Sequence, residues 1–293
     1  METAQKFSLP DGRQLGFSLV GEGKPVLYFH GTASSRLETL LLKEFACSYD
    51  FQVIGVDRPG YGLSTFAPRT RLRDFSADVN SLVAYLGLDK FGLLTWSGGG
   101  PFGLVYVALF PEHVSKAVIV SSPALPFDVA TAHNGSIVRF AMKVPMLAMW
   151  GLKRFRAEVL KANKDIDAFL ASKSGGKIVG SWPKADAKFL ADPDWLRLMY
   201  GSMAEGFRQG NGGIKAVFQE HQLFIKPWAD PITQIPSDKV CIWQGTEDTT
   251  CQVDNAYRLA KAVPNARIDI FEGEGHCVMF DNLQQLYKRL KSK

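Results

Sequence analysis

Short apolar runs bounded by turn residues alternate along this chain with stretches in which apolar side chains return every three or four positions. That is the rhythm of a sheet whose strands are joined by crossover helices. Lys6 to Val20 reads as a hairpin, two short strands broken at Pro10, Asp11 and Gly12. Pro25 to Phe29 and Gln52 to Val56 are apolar runs of the kind buried on both faces of a parallel sheet. Phe75, Val79, Leu82, Val83 and Leu86 then fall on one helical face, with Asp74 and Asp78 placed early, where a helix dipole favours negative charge. Phe91 to Thr95 reads as a strand. Pro101 to Phe110 is apolar on nearly every face, which suits a helix buried against the centre of the sheet, with Pro101 tolerated in its first turn. Ala117 to Ser121 makes another strand.

From about Pro123 to about Asp230 the strand rhythm stops, and helical segments rich in Met, Phe and Trp take over. They are expected to be interrupted by flexible runs at Ser174-Gly175-Gly176 and Gly210-Asn211-Gly212-Gly213. The sheet pattern resumes with Lys239 to Trp243, an amphipathic helix around Val253, Ala256, Tyr257 and Ala260 stopped at Pro264, a strand Arg267 to Phe271, and a closing helix through Leu283, Leu286, Tyr287 and Leu290. The expected fold class is α/β, a mostly parallel central sheet flanked by helices. Residues 1–122 and 231–293 form its core and 123–230 an inserted helical cap. No internal repeat or low-complexity tract interrupts this plan.

Composition narrows the function classes. At 293 residues, 46% hydrophobic and 22% charged, the chain can bury a large core. Its net charge of +5 arises from 34 basic and 29 acidic residues scattered along the sequence, so no nucleic-acid partner is implied. The one basic cluster, Lys288, Arg289, Lys291 and Lys293, sits where cations oppose the negative end of a helix dipole. Met1 to Pro10 has no signal-like apolar core, and no segment reaches the roughly 18 consecutive apolar residues of a membrane helix, so a soluble, cytoplasmic protein without a membrane partner is expected. Cys47, Cys241, Cys251 and Cys277 show no CxxC spacing and read as reduced thiols; Cys277 is assigned to packing rather than nucleophilic attack.

The strand Phe91 to Thr95 runs directly into Trp96-Ser97-Gly98-Gly99-Gly100 and then into the apolar helix. A serine on so tight a strand-to-helix turn is held in a strained conformation among small neighbours, its hydroxyl projecting above the sheet. The helix N-terminus and the Gly98 N–H favour a developing oxyanion there. A serine hydroxyl needs a base. Of the five histidines, His113 falls in a polar turn, His133 and His221 in the cap, and His30 at a strand end before Gly31, where it reads as a turn stabiliser. His276, after the last strand, stands at the sheet edge where α/β proteins place catalytic loops. The imidazole in turn needs a carboxylate to fix its tautomer. Asp248, in the loop after strand Lys239 to Trp243, is the choice, with Glu247 and Asp128 as rivals.

The order Ser, Asp, His, each after its own strand, together with His30-Gly31-Thr32 and Asp57-Arg58-Pro59-Gly60-Tyr61-Gly62-Leu63-Ser64, resembles the α/β-hydrolase superfamily over the whole chain outside the cap. The resemblance implies the α/β-hydrolase fold and makes the Thr32 N–H the second oxyanion donor, with Ala33 as the next candidate. The Asp57 to Ser64 turn reads as structural. One departure is Thr95, which stands where the family has the first glycine of the nucleophile elbow.

The expected reaction is acyl transfer to Ser97 with His276 as base and Asp248 as its orienting acid, followed by hydrolysis, with no cofactor and no metal. The expected partner is a small acyl substrate, a lipophilic ester or lactone. Trp96 and the cap residues Phe140, Met142, Met146, Met149 and Trp150 are the candidate substrate contacts. Lyases, C–C bond hydrolases, cofactor-free oxygen chemistry and ligand receptors use the same framework, so each stays an alternative.

Overall fold

The computed structural model describes residues 1–127, 144–180, 182–236 and 238–291. Eight strands form one sheet: β1 (Glu2–Ser8), β2 (Gln14–Gly21), β3 (Lys24–Phe29), β4 (Phe51–Val56), β5 (Phe91–Trp96), β6 (Val114–Val120), β7 (Val240–Gly245) and β8 (Arg267–Phe271). Their order is β1-β2-β4-β3-β5-β6-β7-β8, with β1 and β2 antiparallel to their neighbours and every pairing from β4 onward parallel. The apolar runs occupy the centre: β5 and β7 are buried at every position, as parallel strands covered on both faces must be.

The helices that cover the sheet are α1 (Lys43–Ser48), α2 (Arg73–Tyr85), α3 (Gly100–Leu109), α10 (Asp254–Ala262), α11 (Val278–Asp281) and α12 (Leu283–Lys291). Between β6 and β7 the described residues hold no strand and supply α4 (Pro145–Lys164), α5 (Ile166–Ala171), α6 (Lys173–Val179), α7 (Ala187–Leu190), α8 (Pro193–Gly206) and α9 (Asn211–Phe224). Helix α3 has eight buried residues, Gly100 through Val107, in agreement with its unbroken apolar sequence. Among the described residues, no helix is long and apolar enough to cross a membrane.

Of the two glycine runs expected to break the helical insertion, the first lies inside a helix, whereas the second starts at Gly210 in the turn that ends α8, with φ of +59°, and runs on into the next helix. Gly175 and Gly176 belong to α6, and Gly212 and Gly213 to the start of α9. Close packing explains the second case. A Cβ on Gly213 would come within 2.9 Å of the Gly206 carbonyl, so α9 can pass the end of α8 only without a side chain there. The sequence pattern also gave no sign of the 3-10 turn Arg36–Leu42, which follows β3 and carries one wall of the site.

Candidate active site

Four strand ends meet at the C-terminal edge of the sheet. Strand β5 delivers Ser97, the loop after β3 delivers Gly31 and Thr32, the loop after β7 delivers Asp248, and the loop after β8 delivers His276. Ser97 has φ of +52°, the left-handed conformation that non-glycine residues enter at a cost and that a sharp elbow demands. Thr95, at the position where a glycine was expected, is accommodated from across the packing. Its Cγ2 occupies the space that a Cβ on Gly103 of α3 would need. The missing side chain has moved from the strand to the helix it faces.

Ser97 and His276 line one cavity of about 290 Å³, with Gly31, Thr32, Glu38 and Trp96 on its core side. His276 Nδ1 lies 2.8 Å from Asp248 Oδ2, and both side chains are buried. Asp248 is itself held on three further sides. Gln244 Nε2 donates to Oδ2 at 2.9 Å, and the Thr250 and Cys251 N–H groups donate to Oδ1 at 2.8 and 2.9 Å. A carboxylate so fixed can do little except orient the imidazole, whose Nδ1 then carries the proton and leaves Nε2 as the basic nitrogen. Burial is the largest influence on His276 and pulls its pKa down. The charge and hydrogen bond of Asp248, with smaller contributions from Asp186 and Glu38, outweigh it and hold the imidazole above its ordinary value.

The backbone of His276 is fixed as firmly as its ring. Trp96 Nε1 and Ser121 Oγ both donate to the His276 carbonyl at 2.9 Å. On the other side Asp186, from the helical insertion, accepts the His276 N–H through Oδ2 at 2.9 Å and the Cys277 N–H through Oδ1 at 3.0 Å. Asp186 is 1% exposed; burial raises its pKa, against the lowering effect of those two N–H groups. Its motif-free position in the insertion gave no signal in the sequence. Cys277 is fully buried, and burial pushes its thiol up, which leaves it unreactive.

The oxyanion candidates adjoin one another. A Cβ on Gly98 would collide with Thr32 Oγ1, so the two chain segments meet beside Ser97. Thr32 is anchored by its hydroxyl, which donates to Glu220 Oε1 at 2.8 Å. Glu220, on α9, is fully buried and accepts from Arg58 Nε and Nη2 at 2.8 and 2.9 Å. Ala33, the alternative donor, is buried with φ of +61°.

The described rival residues are engaged in other contacts or exposed. His30 is fully buried; its Nδ1 donates to the Gly31 carbonyl at 2.7 Å and its Nε2 accepts the Arg58 N–H at 3.3 Å, and burial with the Arg58 charge holds it neutral. His113 bonds the Asp89 carbonyl and His221 the Val217 carbonyl, and neither lines the cavity. Glu247 is exposed. Asp57 accepts from the Arg36 and Leu63 N–H groups, the structural role expected of its turn. His133 and Asp128 lie outside the described residues.

The expected substrate contacts separate. Trp96 lines the cavity, whereas Phe140 and Met142 lie outside the described residues. Met146 and Trp150 are 83% and 57% exposed and line no part of it, because at 3.6 residues per turn they share the outer face of α4. Met149 is half-buried against the core and likewise does not reach the cavity. The insertion's wall comes instead from Phe155, Trp182, Met199 and Met203, an apolar surface facing the polar edge of the sheet.

A family model described as alpha/beta hydrolase fold matches residues 24–283. The uncharacterized hydrolase YcgS of Bacillus subtilis (strain 168) is 28% identical over 116 residues, which are 38% of this chain and 39% of that protein, so the match spans well under half of YcgS. The non-heme haloperoxidase of Rhodococcus erythropolis is 28% identical over 272 residues, covering 91% of this chain and 90% of the relative. Among solved structures, the esterase RhEst1 from Rhodococcus sp. ECU1013 superposes with a TM-score of 0.67 at 18% identity, covering 98% of this chain and 99% of the other.

Proposed function

Because this chain belongs to the α/β-hydrolase fold family, we propose that it is a serine hydrolase of carboxylic esters or lactones that carry a lipophilic group. One observation carries the reading: Ser97 at the strained elbow and His276, oriented by Asp248 at 2.8 Å, line the same cavity. Ser97 Oγ attacks the carbonyl carbon while His276 Nε2 takes its proton, and Asp248 stabilises the imidazolium. The Gly98 and Thr32 N–H groups hold the oxyanion. Collapse expels the alcohol, which leaves with the proton from His276. Water, activated by the same imidazole, then releases the acid and frees Ser97.

The helical insertion serves as a cap whose Phe155, Trp182, Met199 and Met203 hold the lipophilic group. The substrate is a small molecule, no nucleic acid or membrane takes part, and the three side chains with the two backbone N–H groups carry the chemistry without cofactor or metal. The cysteines Cys47, Cys241, Cys251 and Cys277 are free, which suits the reducing cytoplasm.

The test is labelling with a fluorophosphonate, followed by turnover on p-nitrophenyl esters and lactones. Ser97→Ala is expected to lose label entirely and to lose hydrolysis by at least about a thousandfold, with its fold intact. Wild-type turnover in that variant would eliminate the assignment. The likeness to a haloperoxidase over 90% of that relative's length favours assaying halide oxidation with peroxide beside hydrolysis. Halide oxidation without ester turnover would replace the present reading.

A further inference from the structure

The cavity is lined by a carboxylate that the triad does not use. Glu38, on the 3-10 turn after β3, is 2% exposed overall yet lines the cavity together with Ser97 and His276. Its Oε2 is occupied by two donors, the Tyr28 hydroxyl at 2.7 Å and the Gly31 N–H at 2.8 Å. Its Oε1 and the nucleophile flank Gly31. Oε1 and the Ser97 Cβ lie 3.5 and 3.6 Å from one point, the place where a Cβ on Gly31 would sit, and the absence of that side chain opens the space between them. The Ser34 side chain stands beside the carboxyl.

A buried carboxylate is costly to desolvate, and proteins give it partners on each oxygen. With two donors on Oε2 and the Ser34 hydroxyl also beside the carboxyl, Oε1, which has two lone pairs, keeps acceptor capacity toward the substrate space. Burial accordingly raises the pKa of Glu38, against the hydrogen bonds from Tyr28, Ser34 and Gly31 that lower it. Merely structural packing of the Tyr28 and Gly31 donors would not need a carboxylate at the cavity wall. A glutamine would accept from both and bury no charge.

We propose that Glu38 is a specificity-determining residue that accepts a hydrogen bond from a donor group near the reacting carbonyl, so that the preferred substrates are esters or lactones bearing a hydroxyl or ammonium substituent close to that carbonyl. This inference rests on the hydrolase reading of the same cavity. A donor placed there completes the coordination of Oε1, while the lipophilic remainder lies against Phe155, Trp182, Met199 and Met203. A substrate of the same size with a methyl group in that place would strip the carboxylate of water and return nothing.

The test compares p-nitrophenyl butanoate with its β-hydroxy, β-amino and β-methyl analogues. Each is measured as kcat/KM on the wild-type protein and as binding of the intact ester to Ser97→Ala, followed by quenching of the Trp96 and Trp182 fluorescence. The β-hydroxy or β-amino ester is expected to exceed the β-methyl ester by about tenfold or more in both readouts, as for a hydrogen bond to a charged group. In Glu38→Gln a preference for the ammonium should collapse, while a preference for the hydroxyl should largely persist, which tells the two donors apart. A β-methyl ester that equals or exceeds both donors in the wild-type protein overturns the proposal, and this comparison stands even if the variant does not fold. Donor preference in binding without any hydrolysis would uphold Glu38 and sink the esterase reading. Hydrolysis without donor preference would do the reverse.

Discussion

Replacing Asp186 tests whether the helical insertion holds the histidine in place. The carboxylate is almost fully buried and accepts the N–H groups of His276 and Cys277 at 2.9 and 3.0 Å. Asp186→Ala leaves two buried donors unpaired, at about 1–3 kcal/mol each, partly offset because a charge no longer has to be buried. A net loss of about 2–4 kcal/mol is expected. Asp186→Asn keeps one acceptor and removes the charge, so its loss should be smaller, about 1–2 kcal/mol. Urea denaturation of the three proteins reads these differences. The charge has a second, independent consequence. Asp186 is among the groups that raise the His276 pKa, so the asparagine variant should move the acid limb of the kcat/KM profile to lower pH. Unchanged stability in the alanine variant, within about 0.5 kcal/mol, together with a stationary or upward-shifted acid limb, would refute the clamp.

Four other outcomes are expected. Gly98→Ala drives a methyl group into Thr32 Oγ1 and should cut kcat by about a hundredfold or more by displacing the oxyanion donors, measured on a chromogenic ester with the melting temperature as control. On the proposed mechanism hydrolysis needs neutral His276, whose pKa is raised, so kcat/KM should fall as pH drops through a midpoint above the ordinary histidine value of 6.5; a midpoint below 6.5 would contradict the role of Asp248. The same raised pKa means that the folded state favours the protonated ring. This contribution to stability is complete below pH 6.5 and is lost as pH rises through the folded-state pKa, a trend that denaturation at several pH values can follow. Glu220→Ala removes the partner of fully buried Arg58 and the anchor of Thr32, and should cost about 3–5 kcal/mol in denaturant unfolding; a loss below about 1 kcal/mol would show the pair to be dispensable.

Much of the architecture was legible because burial on both faces of a parallel strand writes an unbroken apolar run. The runs at Pro25, Gln52 and Phe91 each match an observed strand to within a residue and that at Lys239 to within two, whereas β6 starts three residues before its expected beginning at Ala117. The insertion was harder to read, since the glycine runs at Gly175 and Gly212 look like breaks until the neighbouring backbone that excludes a side chain is known. Periodicity identifies α4 as amphipathic but not which side meets the cavity, so the expected contacts Met146 and Trp150 face outward while Phe155 lines the cavity.

What the sequence by itself determined was the order of elements and the chemistry offered at strand ends: a serine between small residues, and an aspartate and a histidine each after its own strand. Those signals are local, because a tight elbow and a strand exit impose their demands on adjacent residues. Only the tertiary structure decided the remainder. It brought Asp186 to the His276 backbone across 90 residues, Glu220 to Thr32 across 188, and Glu38 to the wall beside Ser97. A buried carboxylate is defined by which donors surround it, and when those donors come from distant segments no spacing along the chain records the encounter.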